Sequence, residues 1–240
     1  MARLLILFCL WAIALGAFAA DEYTTRRENL LREVEAEIAY IAPEAGRAAL
    51  TASVLAAMRK VERHRFVPPD EIRNAYLNRP LSIGYGQTIS QPLIVALMTE
   101  LMQIKRGDTV LEIGTGSGYQ AAVMGELAKF VYSIEIIEPL ARQATARLKD
   151  LGYANIAVKA GDGYYGWPEH GPFDSIMVTA AASHIPPPLI KQLKPGGRII
   201  IPVGAQFMPQ YLMLVEKRAD GTVSTKQILP VRFVPLTGEH

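Results

Sequence analysis

A glycine-rich segment between an apolar run and a helical stretch constrains the fold of this chain more than any other feature. Residues 110–118 have the sequence V-L-E-I-G-T-G-S-G, and residues 121–128 have helical composition. Glycines let a backbone approach a ligand closely, and the start of the next helix presents unpaired N–H groups. Glu135 stands 21 residues after Gly114, at the end of a second apolar run over residues 130–134. An acid at that spacing is typical of nucleotide-binding βαβ units, where it takes both hydroxyls of a ribose.

The spacing of the glycines indicates which nucleotide to expect. The loop follows the pattern G-x-G-x-G, and the third glycine of a dinucleotide fingerprint would fall at Tyr119, which is a bulky residue. This departure disfavours a nicotinamide oxidoreductase and favours a nucleoside without a pyrophosphate, of which S-adenosylmethionine is the common one. The alternative is a tight turn that binds nothing.

A second acid follows the next apolar run. Residues 156–159 are predicted to form a third strand, which leads into Gly161, Asp162 and Gly163. Open α/β sheets bind ligands at the carboxyl ends of their strands, so the Asp162 carboxylate is placed to accept a hydrogen bond from an adenine amino group. The alternative is that Asp162 is a turn former or a helix N-cap.

The remaining segments predict an α/β fold. Residues 173–179 and 199–203 are expected to be strands, and residues 193–198 are expected to form a turn before the second of these. Strands that alternate with helical stretches predict a Rossmann-like fold with a mostly parallel, twisted sheet and helices on both faces. Small side chains border the expected pocket at Ala180, Ala181 and Ala182.

Composition limits the classes of function. The chain has 240 residues, half of them hydrophobic, and a formal net charge of +2, which allows one sizeable core. It has no basic stripe with interleaved aromatic residues, so we expect no nucleic-acid partner. None of the four histidines has a second ligand at metal-binding spacing, so no metal site is predicted.

The first 20 residues are predicted to be an export signal. Arg3 precedes an apolar stretch over residues 4–16, and an A-x-A pattern follows at residues 17–19. The apolar stretch is shorter than the roughly 20 residues of a membrane span. An uncleaved anchor and a buried helix are the alternatives. Cleavage would remove Cys9, which is the only cysteine, and the expected location is the periplasm or the exterior, with the cytoplasm as the alternative.

Residues 21–69 are predicted to form a peripheral helical region before the main domain, which we place at residues 70–240. Apolar residues recur at helical spacing at Leu30, Leu31, Val34 and Ile38, and residues 54–61 form a second amphipathic stretch. The sequence Arg63, His64, Arg65 is interpreted as a surface turn, with attraction of an anionic substrate as the alternative.

Two further motifs identify a family. Residues 79–92 have the sequence R-P-L-S-I-G-Y-G-Q-T-I-S-Q-P, which is predicted to be a turn-rich loop that leads into a helix, and residues 231–236 are V-R-F-V-P-L. With the glycine loop and the K-P-G-G turn at residues 194–197, the chain resembles the protein-L-isoaspartate O-methyltransferases over roughly residues 54–236. The glycine loop and the K-P-G-G turn occur in many methyltransferases, whereas the other two motifs are far more particular.

The resemblance implies a Rossmann-like methyltransferase fold that uses S-adenosylmethionine. The implied reaction methylates the free α-carboxylate of L-isoaspartyl residues in damaged proteins and peptides, after which a succinimide closes in solution. A carboxylate with a pKa of about 4 is already ionised at neutral pH, so no general base is required. Catalysis is expected to come from alignment of the reacting atoms. We expect a monomer that is not stably inserted in a membrane once the signal is removed.

The resemblance also implies roles for individual residues. Ser90 is the expected catalytic residue, with its hydroxyl holding the incoming carboxylate, and a helix cap is the alternative. The residues expected to contact S-adenosylmethionine are Glu112, Gly114, Thr115, Gly116, Gly118, Glu135, Asp162 and Gly163. The residues expected to border the peptide are Ile89, Gln91, Ala180, Ala181 and Ala182, with residues 231–236 as a late strand nearby. A methyltransferase of the same fold with another substrate and an exported, non-catalytic nucleoside-binding relative remain as alternatives.

Overall fold

The computed structural model describes residues 22–42, 49–204 and 208–239. The predicted export signal over residues 1–20 lies outside these ranges. Within them, no helix combines the length and the apolar character that a membrane span requires.

The N-terminal region is helical, as the sequence predicts. Helix α1 covers residues 22–42, and α2 (Ala52–Lys60) follows. Two 3₁₀ helices come next, at Arg63–Phe66 and Pro69–Asn74. The apolar stripe of α1 is buried and joins the same hydrophobic cluster as the central sheet, so this helix packs directly on the body of the protein.

The other elements alternate along the chain. The helices that follow are α3 (Pro92–Met102), α4 (Tyr119–Gly125), α5 (Glu138–Asp150) and α6 (Pro187–Lys191). The strands within the described residues are β1 (Leu81–Gly84), β2 (Gln87–Ile89), β3 (Thr109–Ile113), β4 (Phe130–Glu135), β5 (Ile156–Ala160), β6 (Phe173–Val178), β7 (Leu193–Val203), β8 (Gln210–Lys217) and β9 (Val223–Val231).

Seven strands form one sheet in the order β5-β4-β3-β6-β7-β8-β9. The pairs from β5 to β7 are parallel, and the last two pairs are antiparallel. The predicted mostly parallel, Rossmann-like sheet is therefore confirmed. Buried side chains of β3 alternate between two clusters, with Val110 on one face and Leu111 and Ile113 on the other, so both faces are covered.

The strand order creates a crevice beside β3. From β3 the chain runs outward through β4 and β5, and it then returns to the other side of β3 as β6. Loops that leave the carboxyl ends of β3 and β6 diverge there, and open α/β sheets bind ligands at such a switch point. Ile113 is in register with Val178, which brings Gly114 and Thr179 side by side at the mouth of the crevice.

Two predicted boundaries are wrong. The turn expected at residues 193–198 is a bulge inside β7, because Leu193 and Arg198 both pair with β6 while the residues between them loop out, with Gly196 at a φ of 82°. Residues 231–236 do not form a late strand. The strand β9 ends at Val231, and the only further pairing described is a single bridge between Ala181 and Pro235. A proline lacks the N–H group that a ladder needs.

The segment expected to be a loop before α3 contains a short antiparallel hairpin, β1–β2. Its tip has three consecutive residues with positive φ, namely Gly84 at 86°, Tyr85 at 54° and Gly86 at 70°. Two glycines reach this conformation without steric cost and permit the tight reversal. The hairpin lies over the glycine loop, since a Cβ built on Gly116 would be 3.3 Å from Ile83 Cδ1.

Candidate functional site

The glycine loop after β3 is held in a left-handed backbone path. Gly114, Gly116 and Gly118 have φ values of 97°, 52° and 86°, a region that other residues rarely adopt. A Cβ at Gly114 would also lie under 3.0 Å from Thr179 Oγ1. The positive φ explains why glycine occupies all three positions, and the close approach of Thr179 is a second reason at Gly114.

Glu135 ends β4 beside this loop and is buried, with a relative exposure of 5%. Its Oε2 accepts a hydrogen bond from the Gly116 N–H at 2.7 Å, and its Oε1 accepts one from the Ile137 N–H at 2.9 Å. A carboxylate oxygen has two acceptor positions, so each oxygen keeps one for a further donor. Two adjacent hydroxyls, as on a ribose, match this arrangement.

A cavity lies between the glycine loop, Glu135 and the carboxyl end of β6. Its enclosed part measures about 60 Å³, whereas small-molecule sites usually measure ~300–1,000 Å³. A ligand of nucleoside size needs more room than this part offers, and the C-terminal segment at residues 234–237 contributes to the lining of the cavity. The predicted site residues among its lining are Gly114, Gly116, Glu135, Gly163 and Ala180.

A second cavity of about 390 Å³ adjoins the first. Ser90 and Gln91 line it, as does Arg232. Thr88, Thr179 and Val234 line both cavities, so the two spaces meet at these residues. A group bound in one cavity can face a group bound in the other.

Ser90 is half-buried and lines this second cavity. The alternative role as a helix cap is not seen. The N-cap residue of α3 is Gln91, and no side chain makes a capping hydrogen bond there. The Ser90 hydroxyl therefore remains available as a donor to a group in the cavity.

The other predicted peptide-contacting residues are distributed differently. The Ile89 side chain is packed in the core with 4% exposure and does not line either cavity. Ala181 pairs through its backbone with Val234 and Leu236 in the C-terminal segment. Ala182 N–H donates to the Pro202 carbonyl at 3.1 Å. Ala181 and Ala182 thus support the wall of the site, whereas Ala180 lines the first cavity.

Asp162 acts as a local cap in the structure. Its Oδ1 accepts from the Tyr164 N–H at 2.9 Å at the start of the 3₁₀ helix Gly163–Tyr165, and its Oδ2 accepts from the Glu239 N–H at 3.3 Å. The capping alternative is therefore realised. A contact with adenine remains a prediction, and Gly163 is the member of this pair that lines the first cavity.

Glu112 and Thr115 lie beneath the glycine loop. Ser133 donates a short hydrogen bond to Glu112 Oε2, and the Ser133 and Thr115 hydroxyls are 2.5 Å apart. Since the only Ser133 proton goes to Glu112, Thr115 is the donor in the second bond. Burial raises the pKa of Glu112 to about 8, with a further contribution from the Glu135 charge. Both side chains are buried and face the core, so they support the loop from below and do not line the cavity.

Arg63 and His64 make packed contacts with other elements and do not form a surface turn. Arg63 is 1% exposed, and its guanidinium lies 5.0 Å from the centre of the Tyr119 ring. Burial lowers the pKa of Arg63 to about 10. The His64 ring stacks on Tyr23 of α1 at 4.2 Å and hydrogen-bonds to the Tyr76 hydroxyl at 2.8 Å. The two His64 contacts link α1 to the body of the protein, whereas the Arg63 contact is made with α4.

Sequence reasoning missed the residues that join the two cavities. Thr88 precedes Ser90 by two positions in an extended segment, where alternate side chains share a face. Thr179 directly follows β6, at the carboxyl end of a strand where open sheets bind ligands. Those two signals were present in the sequence, and the resemblance already implies that residues 231–236 lie near the site, although as a strand. Among the described residues, no group of three or more His, Cys, Asp or Glu side chains is placed to hold a metal ion.

Comparison with known proteins places this geometry in a family. The family model described as protein-L-isoaspartate(D-aspartate) O-methyltransferase matches residues 41–240. A protein-L-isoaspartate O-methyltransferase 1 from Cupriavidus necator is 65% identical over 222 residues, which cover 92% of this chain and 86% of the relative.

Solved structures show the same fold. A protein-L-isoaspartate O-methyltransferase structure is 30% identical with a TM-score of 0.78, and the match covers 88% of this chain and 66% of that one. A second structure, of a Plasmodium falciparum chain described as a protein-L-isoaspartate O-methyltransferase, was solved in complex with S-adenosyl-L-homocysteine. That chain is 24% identical with a TM-score of 0.73, and the match covers 88% of this chain and 98% of that one. The chain therefore belongs to the protein-L-isoaspartate(D-aspartate) O-methyltransferase family.

Proposed function

We infer that this chain transfers a methyl group from S-adenosylmethionine to the free α-carboxylate of L-isoaspartyl residues in proteins and peptides, which initiates their repair through a succinimide. The observation that carries this inference, beside family membership, is the junction of the two cavities. Thr88, Thr179 and Val234 line both the cavity of the glycine loop and the cavity of Ser90. A methyl donor in the first is thereby brought against an acceptor in the second.

The first cavity fits the nucleoside half of S-adenosylmethionine. Glu135 keeps one acceptor position on each oxygen for the ribose hydroxyls, and the glycine loop offers backbone without side chains. When bound, S-adenosylmethionine supplies a methyl group on a positively charged sulfur, and the sulfur keeps the bonding electron pair as the methyl leaves. The buried Glu112 and Thr115 hold the loop from beneath.

The second cavity fits the acceptor. The isoaspartyl carboxylate arrives ionised and needs no base to become nucleophilic. Ser90 donates its hydroxyl proton in a hydrogen bond to one carboxylate oxygen, which leaves the other oxygen to attack. The Ser90 oxygen forms no covalent bond. Its contribution is orientation of the acceptor, a class of effect worth up to ~7–11 kcal/mol in well-aligned systems.

A pair of peptides that differ only in one linkage tests this function. The chain from Asp21 onward is incubated with methyl-labelled S-adenosylmethionine and either an isoaspartyl peptide or its aspartyl isomer. We expect a base-labile methyl ester on the isoaspartyl peptide alone. Binding of S-adenosylmethionine by calorimetry without transfer to that peptide would refute the repair function and would favour another substrate or a non-catalytic binder.

The first 20 residues act as a cleavable export signal, and Ala19 or Ala20 is the last residue removed. This proposal is supported by the basic start, the apolar middle and the A-x-A pattern. Export to the periplasm requires a source of S-adenosylmethionine there, because a charged sulfonium zwitterion does not cross a bilayer unaided. Cell fractionation with N-terminal sequencing tests it, and an intact Met1 on a soluble cytosolic protein contradicts it.

We extend this proposal to a monomeric mature chain, because Ser90 and the glycine loop, which the proposed reaction requires, come together within one folded unit. Light scattering after size exclusion should give the mass of one chain. A mass of two chains at micromolar concentration contradicts this part of the proposal.

A further inference from the structure

We infer that Gln192 is a positioning residue for the loop that carries Asp162 and Gly163. Gln192 directly follows α6 and does not line either cavity of the site. Its side-chain amide reaches across to residues 165–167. Oε1 accepts from the Trp167 N–H at 2.8 Å, and Nε2 donates to the Tyr165 carbonyl at 2.8 Å. One amide thus satisfies a backbone donor and a backbone acceptor of the same loop.

The amide is itself fixed in place. Nε2 also donates to the Pro188 carbonyl inside α6 at 3.1 Å, so the amide makes two hydrogen bonds to the loop and one to that helix. An amide nitrogen has two protons, and both are used. The loop is therefore fastened to a rigid element and not to another loop.

Gly166, between the two bonded residues, allows this close approach. It has a φ of 68°, and a Cβ built on it would lie 2.5 Å from Gln192 Oε1 and 2.7 Å from Nε2. Any larger residue would push the amide away from the backbone. The glycine and the glutamine form one matched contact, in which each permits the geometry of the other.

The other end of the same loop is pressed against the cofactor crevice. A Cβ on Gly163 would lie under 3.0 Å from Ile113 Cγ2, at the carboxyl end of β3. Asp162 fastens the first turn through the Tyr164 N–H. The loop is thus held between two contacts. Ile113 limits how closely the loop can approach β3, and the hydrogen bonds of Gln192 keep the loop from moving away from β3. Because Gly163 lines the first cavity, Gln192 sets the position of a cavity wall that it does not touch.

Loss of the Gln192 side-chain hydrogen bonds should weaken the affinity for the cofactor and leave the rate of methyl transfer unchanged. The freed N–H and carbonyl of the loop can bond to water, because this contact lies partly at the surface. The loop then samples more positions, and ordering it again on binding reduces the affinity. Ser90 and the second cavity are on other elements, so alignment of a bound acceptor is retained.

The main test uses Gln192→Met, which keeps the side-chain length and removes the hydrogen bonds. We expect the dissociation constant for S-adenosylhomocysteine, measured by calorimetry, to rise about tenfold, which equals about 1.4 kcal/mol. The kcat at saturating S-adenosylmethionine and the KM for the isoaspartyl peptide should be unchanged. Hydrogen exchange of the Trp167 amide should be faster in the variant without any ligand. Lys191→Ala, one residue earlier at an exposed position, is the matched control and should change none of these quantities.

The outcomes separate clearly. An unchanged dissociation constant, or a lower kcat at saturation, overturns the positioning role. If Gln192→Met does not fold, Gln192→Glu takes its place; it loses both Nε2 donors but keeps the acceptor for the Trp167 N–H, so it is judged by the dissociation constant and by kcat and not by hydrogen exchange of Trp167. The inference rests on the proposed function only for the identity of the cofactor. A wild-type chain that binds S-adenosylhomocysteine but transfers no methyl group refutes the function and leaves this test valid, whereas a wild-type chain that does not bind it overturns both.

Discussion

Gly114→Ala should lower the free energy of unfolding for two separable reasons. Gly114 has a φ of 97°, a conformation that costs an L-residue about 1–2 kcal/mol. The new methyl group would also lie under 3.0 Å from Thr179 Oγ1, and overpacking of this kind costs about 1–3 kcal/mol. The expected total is about 2–5 kcal/mol. At about 2–4 °C per kcal/mol for a chain of this size, the Tm should fall well outside experimental error.

Other glycines of the chain provide matched controls. Gly152 has a φ of 82°, and a Cβ built on it would have nothing within 4 Å, so Gly152→Ala measures the backbone cost alone. Gly107 has neither a positive φ nor a close neighbour, so Gly107→Ala should change stability by less than about 0.5 kcal/mol. Urea unfolding of the variants gives the free energies, with equal m-values as the check that they are comparable.

A double-mutant cycle isolates the collision. The single Thr179 hydroxyl proton is shared between the Ile113 and Gly114 carbonyls, so Thr179→Ala alone has a cost of its own. In the Gly114→Ala/Thr179→Ala double variant, the new methyl group at position 114 no longer meets a hydroxyl oxygen. The decrease in the free energy of unfolding should therefore be smaller than the sum of the two single decreases by about 1 kcal/mol or more. Simple additivity, or a Gly114→Ala cost no larger than that of Gly152→Ala, would refute the argument from close contact.

Three further substitutions test the roles assigned in the site. Ser90→Ala should lower kcat by about 10- to 150-fold, because a hydrogen bond to a charged group contributes ~1.5–3 kcal/mol. Its affinity for S-adenosylhomocysteine, measured by calorimetry, should be unchanged. Weak binding of S-adenosylhomocysteine with a normal kcat at saturation contradicts the assigned role. Glu135→Gln should weaken the affinity for S-adenosylhomocysteine by about tenfold or more. The reason is that an amide oxygen replaces only one of the two carboxylate oxygens that accept from the Gly116 and Ile137 N–H groups. An unchanged affinity contradicts this role. The native pKa of Glu112 is raised to about 8, so its protonated form stabilises the fold at low pH and that stability is lost as the pH rises from about 4.5 through 8. Glu112→Gln cannot titrate, so its stability relative to wild type, from urea unfolding, should increase between about pH 5 and 9, and a constant difference contradicts the assignment.

Local sequence patterns predicted the scaffold of the site well. The strand β3, the glycine loop and Glu135 at the end of β4 lie where the sequence predicts them, and the helix that follows the loop covers Tyr119–Gly125, two residues earlier at its start and three at its end than the predicted stretch over residues 121–128. These features depend on contacts within one βαβ unit and on backbone conformations that glycine alone adopts without strain. Periodicity also predicted α1 and α2, because one apolar stripe at helical spacing must be buried.

Side-chain direction was less predictable where burial decides it. Glu112 and Ile89 lie inside functional motifs, yet both side chains point into the core. Arg63 looked like a surface residue, but it lies under the ring of Tyr119. A charged residue in a sequence is assigned to solvent by default, and only the packing of distant elements shows that it is enclosed.

The sequence alone determined the family, the mostly parallel character of the sheet and the position of Glu135 at the end of β4, because each follows from motifs and patterns that are local in the chain. Only the tertiary structure decided which residues meet at the active site. The Thr179 contact with the Gly114 carbonyl spans 65 positions, and the contact of Gln192 with Trp167 spans 25. The C-terminal segment reaches the crevice only because it crosses over Ala181. Contacts across such separations depend on how strands are ordered in the sheet, and no local pattern of residue types specifies that order.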